Sequence, residues 1–279
     1  DDSVTTYSWA VTGDDIGLPS EGVDNISELV TNSTNDILTA TITVTPTYTN
    51  DGEPCTGPSE EFTITVSPTA QVEQVEDIVV CNGDEVAEIV FATTSENDIA
   101  YSWSIDTEIG TQSLTGVGNI PLFEAENIGT DPIVATVTVT PSNNETDPSL
   151  TCEGSSIEFT ITVNPTAQVD PVDSLDICNG DTALVDFTTS NGGVDSVTTY
   201  SWEITGGDSV FESAALTGVG NINLPVINET NADLVATVTV TPTYTNDGVD
   251  CTGPSEEFTI TVSPTAQVDQ VDDIVVCNG

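Results

Sequence analysis

Apolar and polar residues alternate with a period of two along most of this chain. Ala40, Ile42 and Val44 alternate with Thr39, Thr41, Thr43 and Thr45, and the pattern returns at 134–140 and 235–241. Phe62, Ile64 and Val66 alternate with Thr63 and Thr65. Alternation of this kind, stopped by Pro, predicts strands with one buried face. The two strands bracket a Gly/Pro/Asn/Asp stretch from Asn50 to Pro58 that holds Cys55, so they form a hairpin. Upstream, 72–80, 86–93, 101–105 and 122–125 read as further strands, and no segment shows helical spacing over ten residues or more. Roughly seven short strands with frequent turn signals indicate an all-β chain of immunoglobulin-like β-sandwiches. Trp9, Trp103 and Trp202 each follow Tyr by two residues, where such sandwiches place a core aromatic on the third strand.

The chain repeats itself. Tyr-Ser-Trp recurs at 7–9, 101–103 and 200–202. Cys55, Cys152 and Cys251 step by 97 and then 99, as do Cys81, Cys178 and Cys277. With each unit starting at the Pro that ends Thr-Ile-Thr-Val-Ser/Asn-Pro, the domains are 1–67 (the C-terminal part of a repeat), 68–164, 165–263, and 264–279 (the first strand of the next). Residues 2–9 repeat at 195–202 and 55–72 are identical to 251–268, which indicates a two-domain super-repeat. Asp1 opens on strand-like sequence with no initiator Met or signal peptide, so the expectation is a slice of a longer array, arranged as an elongated rod.

Charge narrows the chemistry. The 279 residues hold no Lys, Arg or His against 47 Asp plus Glu, a formal charge of −47. Ser–His–Asp and Cys–His nucleophile systems, Schiff bases and imidazole metal sites are excluded. Nucleic acid and direct binding to anionic membrane are excluded too, for want of cations to meet phosphate. At 37 % hydrophobic, and rich in Val, Ile and Thr, the chain differs from disordered acidic sequence. Paired carboxylates could serve a glycosidase, but no cleft-building insertion interrupts the repeat, so the reading is a non-enzyme. Carboxylates such as Asp14, Asp15, Glu60 and Glu61 make a self-repelling surface. Repulsion is expected to raise folded-state pKa values, so that added salt and mild acid stabilise the fold. It also discourages edge-to-edge strand pairing, and the lack of Lys and Arg removes trypsin-type cleavage sites. Asp51, Glu53, Glu145, Asp147, Asp247 and Asp250 cluster in the hairpin loops, beside Glu73, Glu76, Asp77, Asp170 and Asp173 at the joints. They are candidate Ca²⁺ ligands, although no loop matches an EF-hand. No other cofactor is expected.

Further motifs recur in order. Cys-Asn-Gly-Asp, a Val-x-Phe strand, Tyr-Ser-Trp, Leu-Thr-Gly-Val-Gly-Asn-Ile at 114–120 and 216–222, Val-Ala-Thr-Val-Thr-Val-Thr-Pro, Cys-Thr-Gly and Phe-Thr-Ile-Thr-Val-x-Pro span essentially all 279 residues. This resembles the PKD-like repeats of very long cell-surface proteins of Bacteroidota, including gliding-motility adhesins. The resemblance implies an immunoglobulin-like sandwich, export to the surface by the type IX route, and service in an adhesin stalk or extracellular filament. Its partners would be neighbouring repeats and identical chains in a fibre. The absence of basic residues departs from many members. Asp-Ser/Thr at Ser3, Ser174, Thr182, Ser196 and Ser209 resembles the O-glycosylation signal of that phylum, and Asn25, Asn32, Asn144 and Asn228 open Asn-x-Ser/Thr patterns.

Two Cys per exported repeat imply disulfides rather than zinc, there being no Cys-x-x-Cys and no His. The first Cys of a unit ends its first strand; the second lies in the last hairpin, at the opposite pole. Bonded Cα atoms lie about 4.4–6.8 Å apart, whereas a strand of seven or eight residues spans about 25 Å. The preferred pairing is therefore between consecutive repeats, Cys81 with Cys251, leaving Cys178 and Cys152 to domains on either side. The alternatives are pairing within a repeat (Cys81–Cys152 and Cys178–Cys251) and Cys55–Cys81. The joint at 68–72 is short and lacks Gly, unlike flexible linkers. A carbohydrate-binding or Ca²⁺-dependent adhesion module is the alternative function. Tyr48 and Tyr244, in equivalent Thr-Tyr-Thr contexts read as turns, are its available aromatics.

Overall fold

The computed structural model describes residues 3–94, 99–143, 152–207, 210–211 and 216–277. All its regular elements are strands. In the second repeat, β6 (Ile78–Cys81), β12 (Ile157–Asn164), β11 (Ile133–Asn143), β8 (Ile99–Ile105) and β9 (Thr115–Val117) form one sheet in that order. β7 (Glu85–Val86) and β10 (Phe123–Glu124) form a smaller one. The third repeat matches it. Its large sheet runs β13 (Leu175–Cys178), β20 (Glu256–Ser263), β18 (Leu234–Asn246), β15 (Val197–Thr205), β16 (Thr217–Val219), with β19 (Val249–Thr252) on β18. β14 (Thr182–Val185) and β17 (Ile222–Pro225) make the small one. The first repeat has one sheet: β1 (Val4–Gly13), β2 (Glu21–Val23), β3 (Leu38–Asn50), β4 (Glu53–Thr56) and β5 (Glu60–Val66).

Alternation decides which face is buried. On β18, Ala236, Val238 and Val240 are buried at 0 % exposure, while the intervening Thr side chains face outward. The core of the third repeat joins these to Phe187, Trp202, Phe258 and Ile260; that of the second joins Phe91, Trp103, Val137 and Ile161. Each Trp is 7 % exposed and pairs across the sheet with a glycine: Trp9 with Gly22, Trp103 with Gly116, Trp202 with Gly218. A Cβ on Gly218 would come within 2.2 Å of the Trp202 ring. That contact explains the Gly of the Leu-Thr-Gly-Val motif.

The sequence reading differs from the structure at several elements. The expected strand 72–80 narrows to Ile78–Cys81, and 86–93 to Glu85–Val86 with an isolated Ile89–Ile120 bridge. The hairpin stretch holding Cys55 contains a strand of its own, β4, with β19 as its counterpart. Asp51 and Gly52 (φ 49° and 84°), like Asp247 and Gly248 (49° and 76°), both take positive φ. This is the two-residue turn that Asp-Gly favours. Tyr48 and Tyr244 therefore stand on the long strands β3 and β18, not in turns.

Candidate functional site

The joint between the second and third repeats gathers the most specific contacts. It is built from turns that the sequence encodes locally. In Cys81-Asn82-Gly83-Asp84, the Asp84 carboxylate accepts from the Cys81 amide at 2.9 Å, and Asp84 N–H donates to Cys81 O at 3.1 Å. Gly83 sits at φ 88°, a conformation glycine adopts without strain. The same turn recurs at Cys178–Asp181. Because β6 runs parallel to β12 in register Cys81–Asn164, this turn brings Cys81 to the end of the sandwich where the chain leaves for the next repeat.

From the other side comes the β18–β19 hairpin. Its Asp-Gly turn sets Cys251 opposite Tyr244. Cys81 and Cys251 are disulfide-bonded across 170 residues, with Cα atoms 5.5 Å apart. The bond occupies Cys251, so Cys178 of the same repeat does not pair with it; Cys178 is an exposed thiol, as are Cys55 and Cys277. Cys152 is also exposed, and the partner of Cys81 is Cys251.

Hydrogen bonds reinforce the crossing. Asn246 Nδ2 donates to Asn164 Oδ1 at 2.8 Å between two buried side chains. Gly192 N–H donates to Thr130 O at 3.0 Å. Asn191 Nδ2 reaches Thr166 O at 3.1 Å, and Asn82 Nδ2 reaches Thr166 Oγ1 at 2.9 Å. Asn82 also accepts from Asn127 N–H at 2.7 Å, tying the turn to its own sandwich. Ala167 is fully buried beside Tyr244 and Cys251, with Cys81 and Val249 packed around them. The connecting residues are thus clamped rather than free. A Cβ on Gly253 would lie 1.8 Å from Ala167 O, and one on Gly154 the same distance from Ala70 O. Close approach of the hairpin to the connector thus requires the Gly of Cys-x-Gly.

Other sequence-singled residues fall elsewhere. Asp250 accepts from Thr245 within its own hairpin, and Asp51 and Asp247 occupy turns. Asp77 caps the Thr160 amide at 2.6 Å and Asp170 accepts from Thr188 at 2.7 Å, so both serve their own sandwich. Glu145 and Asp147 lie outside the described residues. Among the described residues, no group of three or more carboxylate or Cys side chains converges as a metal site. The hydrogen bonds from Thr160 hold Asp77 below the ordinary carboxylate range, and those from Thr136 do the same for Asp106. This direction is opposite to the one expected from self-repulsion, because a backbone donor in contact outweighs scattered charges in water. Burial pushes the Tyr101 and Tyr200 hydroxyls up, with Glu73 and Asp170 adding repulsion.

Of the candidate glycan acceptors, Thr182 is exposed on β14, whereas Ser174 is bonded to Thr259 and Ser196 to Gly192 and Gly193. Ser3 is half-buried, and Ser209 lies outside the described residues. Asn228 is 2 % exposed, with its amide donating to Ala232 O and Val262 O, which withdraws it from modification. Tyr48 is 47 % exposed, but Tyr244 is buried and donates to Gly192 O at 2.8 Å. A cavity of about 190 Å³ beside Trp103 is lined by Ile120, Leu122, Phe123 and neutral polar side chains, with no titratable group.

No protein-family model matches the chain, and no curated protein matches it either. Among solved structures it is similar to Drosophila N-cadherin EC1-4, at 14 % identity over 95 % of this chain and 67 % of that one, with TM-score 0.37. It is also similar to mouse cadherin-23 EC22-24, at 16 % identity over 93 % and 86 %, TM-score 0.37. The three N-terminal domains of the outer capsid protein Hoc of bacteriophage RB49 give 14 % identity over 94 % and 89 %, TM-score 0.40.

Proposed function

We propose that this chain is a structural stretch of an extracellular filament or adhesin stalk, in which immunoglobulin-like repeats are locked end to end and catalyse nothing. Repeats 68–164 and 165–263 are its folding units, and 1–67 and 264–279 belong to flanking ones. The observation that carries the reading is the Cys81–Cys251 bond, which ties the first strand of one repeat to the last hairpin of the next. A disulfide of that kind restrains a hinge in a way that a bond inside one sandwich does not. Disulfides persist in oxidising compartments, so the bond supports the reading of a surface-exposed array. The PKD-like motif order supports a Bacteroidota surface protein exported by the type IX route.

Small-angle scattering of the oxidised protein and of a Cys81→Ser/Cys251→Ser variant tests the role. Stiffness predicts a narrow distribution of maximum dimensions that broadens in the variant. Equal, broad distributions in both would refute it. No cofactor is required by this role. A melting temperature raised by Ca²⁺ would favour the adhesion-module reading instead.

A further inference from the structure

Asn-Gly is the dipeptide most open to spontaneous deamidation, because the glycine nitrogen reaches the asparagine carboxamide with no side chain in the way. Three such pairs stand among the described residues: Asn82-Gly83, Asn179-Gly180 and Asn191-Gly192. The first two are held by their own sandwiches. Gly83 N–H donates to Ala125 O and Gly180 N–H to Val226 O, while the amides of Asn127 and Asn228 donate to the two carboxamide oxygens.

Asn191-Gly192 is held from across the joint. Gly192 N–H donates to Thr130 O of the second repeat at 3.0 Å. Asn191 Nδ2 donates to Thr130 O at 3.4 Å and to Thr166 O, in the connector, at 3.1 Å. Its Oδ1 accepts from the Gln168 amide, also in the connector, at 2.6 Å. Tyr244 closes the loop from above by donating to Gly192 O. The attacking nitrogen and the attacked carboxamide are thus both tied to Thr130, and only while the second and third repeats stay docked. The labile pair is built into the joint. A Cβ on Gly192 would run into the Asp131 carboxylate, and position 191 needs both the donors and the acceptor of a carboxamide.

We infer that Asn191 is a deamidation site, closed by the docked joint and released when the joint opens. In the open joint Gly192 N attacks Asn191 Cγ. The Cγ–Nδ2 bond breaks, the proton of the glycine amide leaves with Nδ2 as ammonia, and a five-membered succinimide forms. Water then opens the succinimide at either carbonyl to give aspartate or isoaspartate, with no oxidant or reductant. The product is an acceptor-only carboxylate set against the carbonyls of Thr130 and Thr166, in a chain with no Lys, Arg or His to offset it. Reduction of Cys81–Cys251 is reversible; deamidation of Asn191 makes opening permanent. This rests on the geometry of the joint and not on the role proposed for the array.

Peptide mapping by mass spectrometry with isoaspartate detection, after incubation at mildly alkaline pH, tests it. Chymotrypsin suits the digestion, since trypsin has no sites. The oxidised protein is compared with Tyr244→Ala/Cys251→Ser, kept reduced, which frees the loop and leaves the Cys81–Asn82 turn untouched. Asn191 should deamidate several-fold faster in the variant, while Asn82 and Asn179 stay as slow as in the oxidised protein. Equal rates at Asn191 in the two proteins, or acceleration of all three asparagines together, would overturn the inference. Asn191→Asp installs the product, and Asn191→Ala removes the hydrogen bonds without adding charge. During oxidative refolding the Asp variant should form Cys81–Cys251 several-fold more slowly than the Ala variant. An Asp variant that closes as fast would overturn the claim that the product bars reclosure.

Discussion

Asn246 donates to Asn164 at 2.8 Å across 82 residues of chain, and the two side chains are 7 % and 0 % exposed. At the preceding joint Asn143, which stands two residues after Pro141 as Tyr244 stands after Pro242, donates to Pro68 O at 3.1 Å. Where the second repeat has Asn164, the first and third have Ser67 and Ser263. The two-domain super-repeat thus has a structural correlate, a longer polar side chain at one joint and a shorter one at the other.

Asn246→Ala would leave Asn164 Oδ1 buried without its donor. An unpaired buried polar group costs about 1–3 kcal/mol, so the denaturant midpoint should fall accordingly. Asn164→Ser, which gives this position the residue of the other joint, should cost less, because it also removes the Asn164 Nδ2, which is buried without a hydrogen-bond partner. Equal losses in urea titrations of both variants would contradict this account.

Gly253→Ala places a methyl group against Ala167 O. Overpacking of this kind costs about 1–3 kcal/mol, and the hairpin must move off the connector to relieve it. Differential scanning calorimetry should show a lower melting temperature, with non-reducing peptide mapping showing slower closure of Cys81–Cys251 during refolding.

Reduction of Cys81–Cys251 should uncouple the second and third repeats. Native disulfides typically contribute about 2–4 kcal/mol. Calorimetry of the reduced protein, or of Cys81→Ser, is expected to resolve separate transitions for repeats that melt together when oxidised.

Acid should destabilise the fold through Asp77 and Asp106. Both carboxylates are held down by backbone donors, so their folded pKa values lie below the unfolded reference of about 3.9. Stability from a depressed carboxylate is present above the unfolded pKa and is lost as pH falls through the folded one. Asp77→Asn should flatten the decline in urea midpoint below about pH 4, and a decline unchanged in both Asp77→Asn and Asp106→Asn would count against these caps.

Added salt should raise the melting temperature at neutral pH, since 47 carboxylates face no basic side chain. Screening is strong once the Debye length falls to about 10 Å, near 0.1 M salt, so most of the rise should come below that concentration. A flat profile from low to moderate salt would remove self-repulsion as a factor in stability.

Strands, turns and the core Trp are legible in the sequence because their causes are local. Alternation selects the buried face of β18, Asp-Gly sets the β18–β19 turn, and Gly218 makes room for Trp202 one strand away. The boundaries of the short strands were not legible, since 72–77 is held by side-chain packing and single hydrogen bonds rather than by a ladder. Tyr244 shows where local information ends. It sits in Thr-Tyr-Thr on a strand, and what buries it to 1 % exposure is the Gly192 loop, 52 residues away in the chain, whose carbonyl its hydroxyl meets. The sequence by itself determined the repeat, the alternating strands and the polyanionic surface. Which cysteine meets which and which asparagine finds a buried partner were decided by tertiary structure, because those contacts join residues brought together only when one sandwich docks on the next.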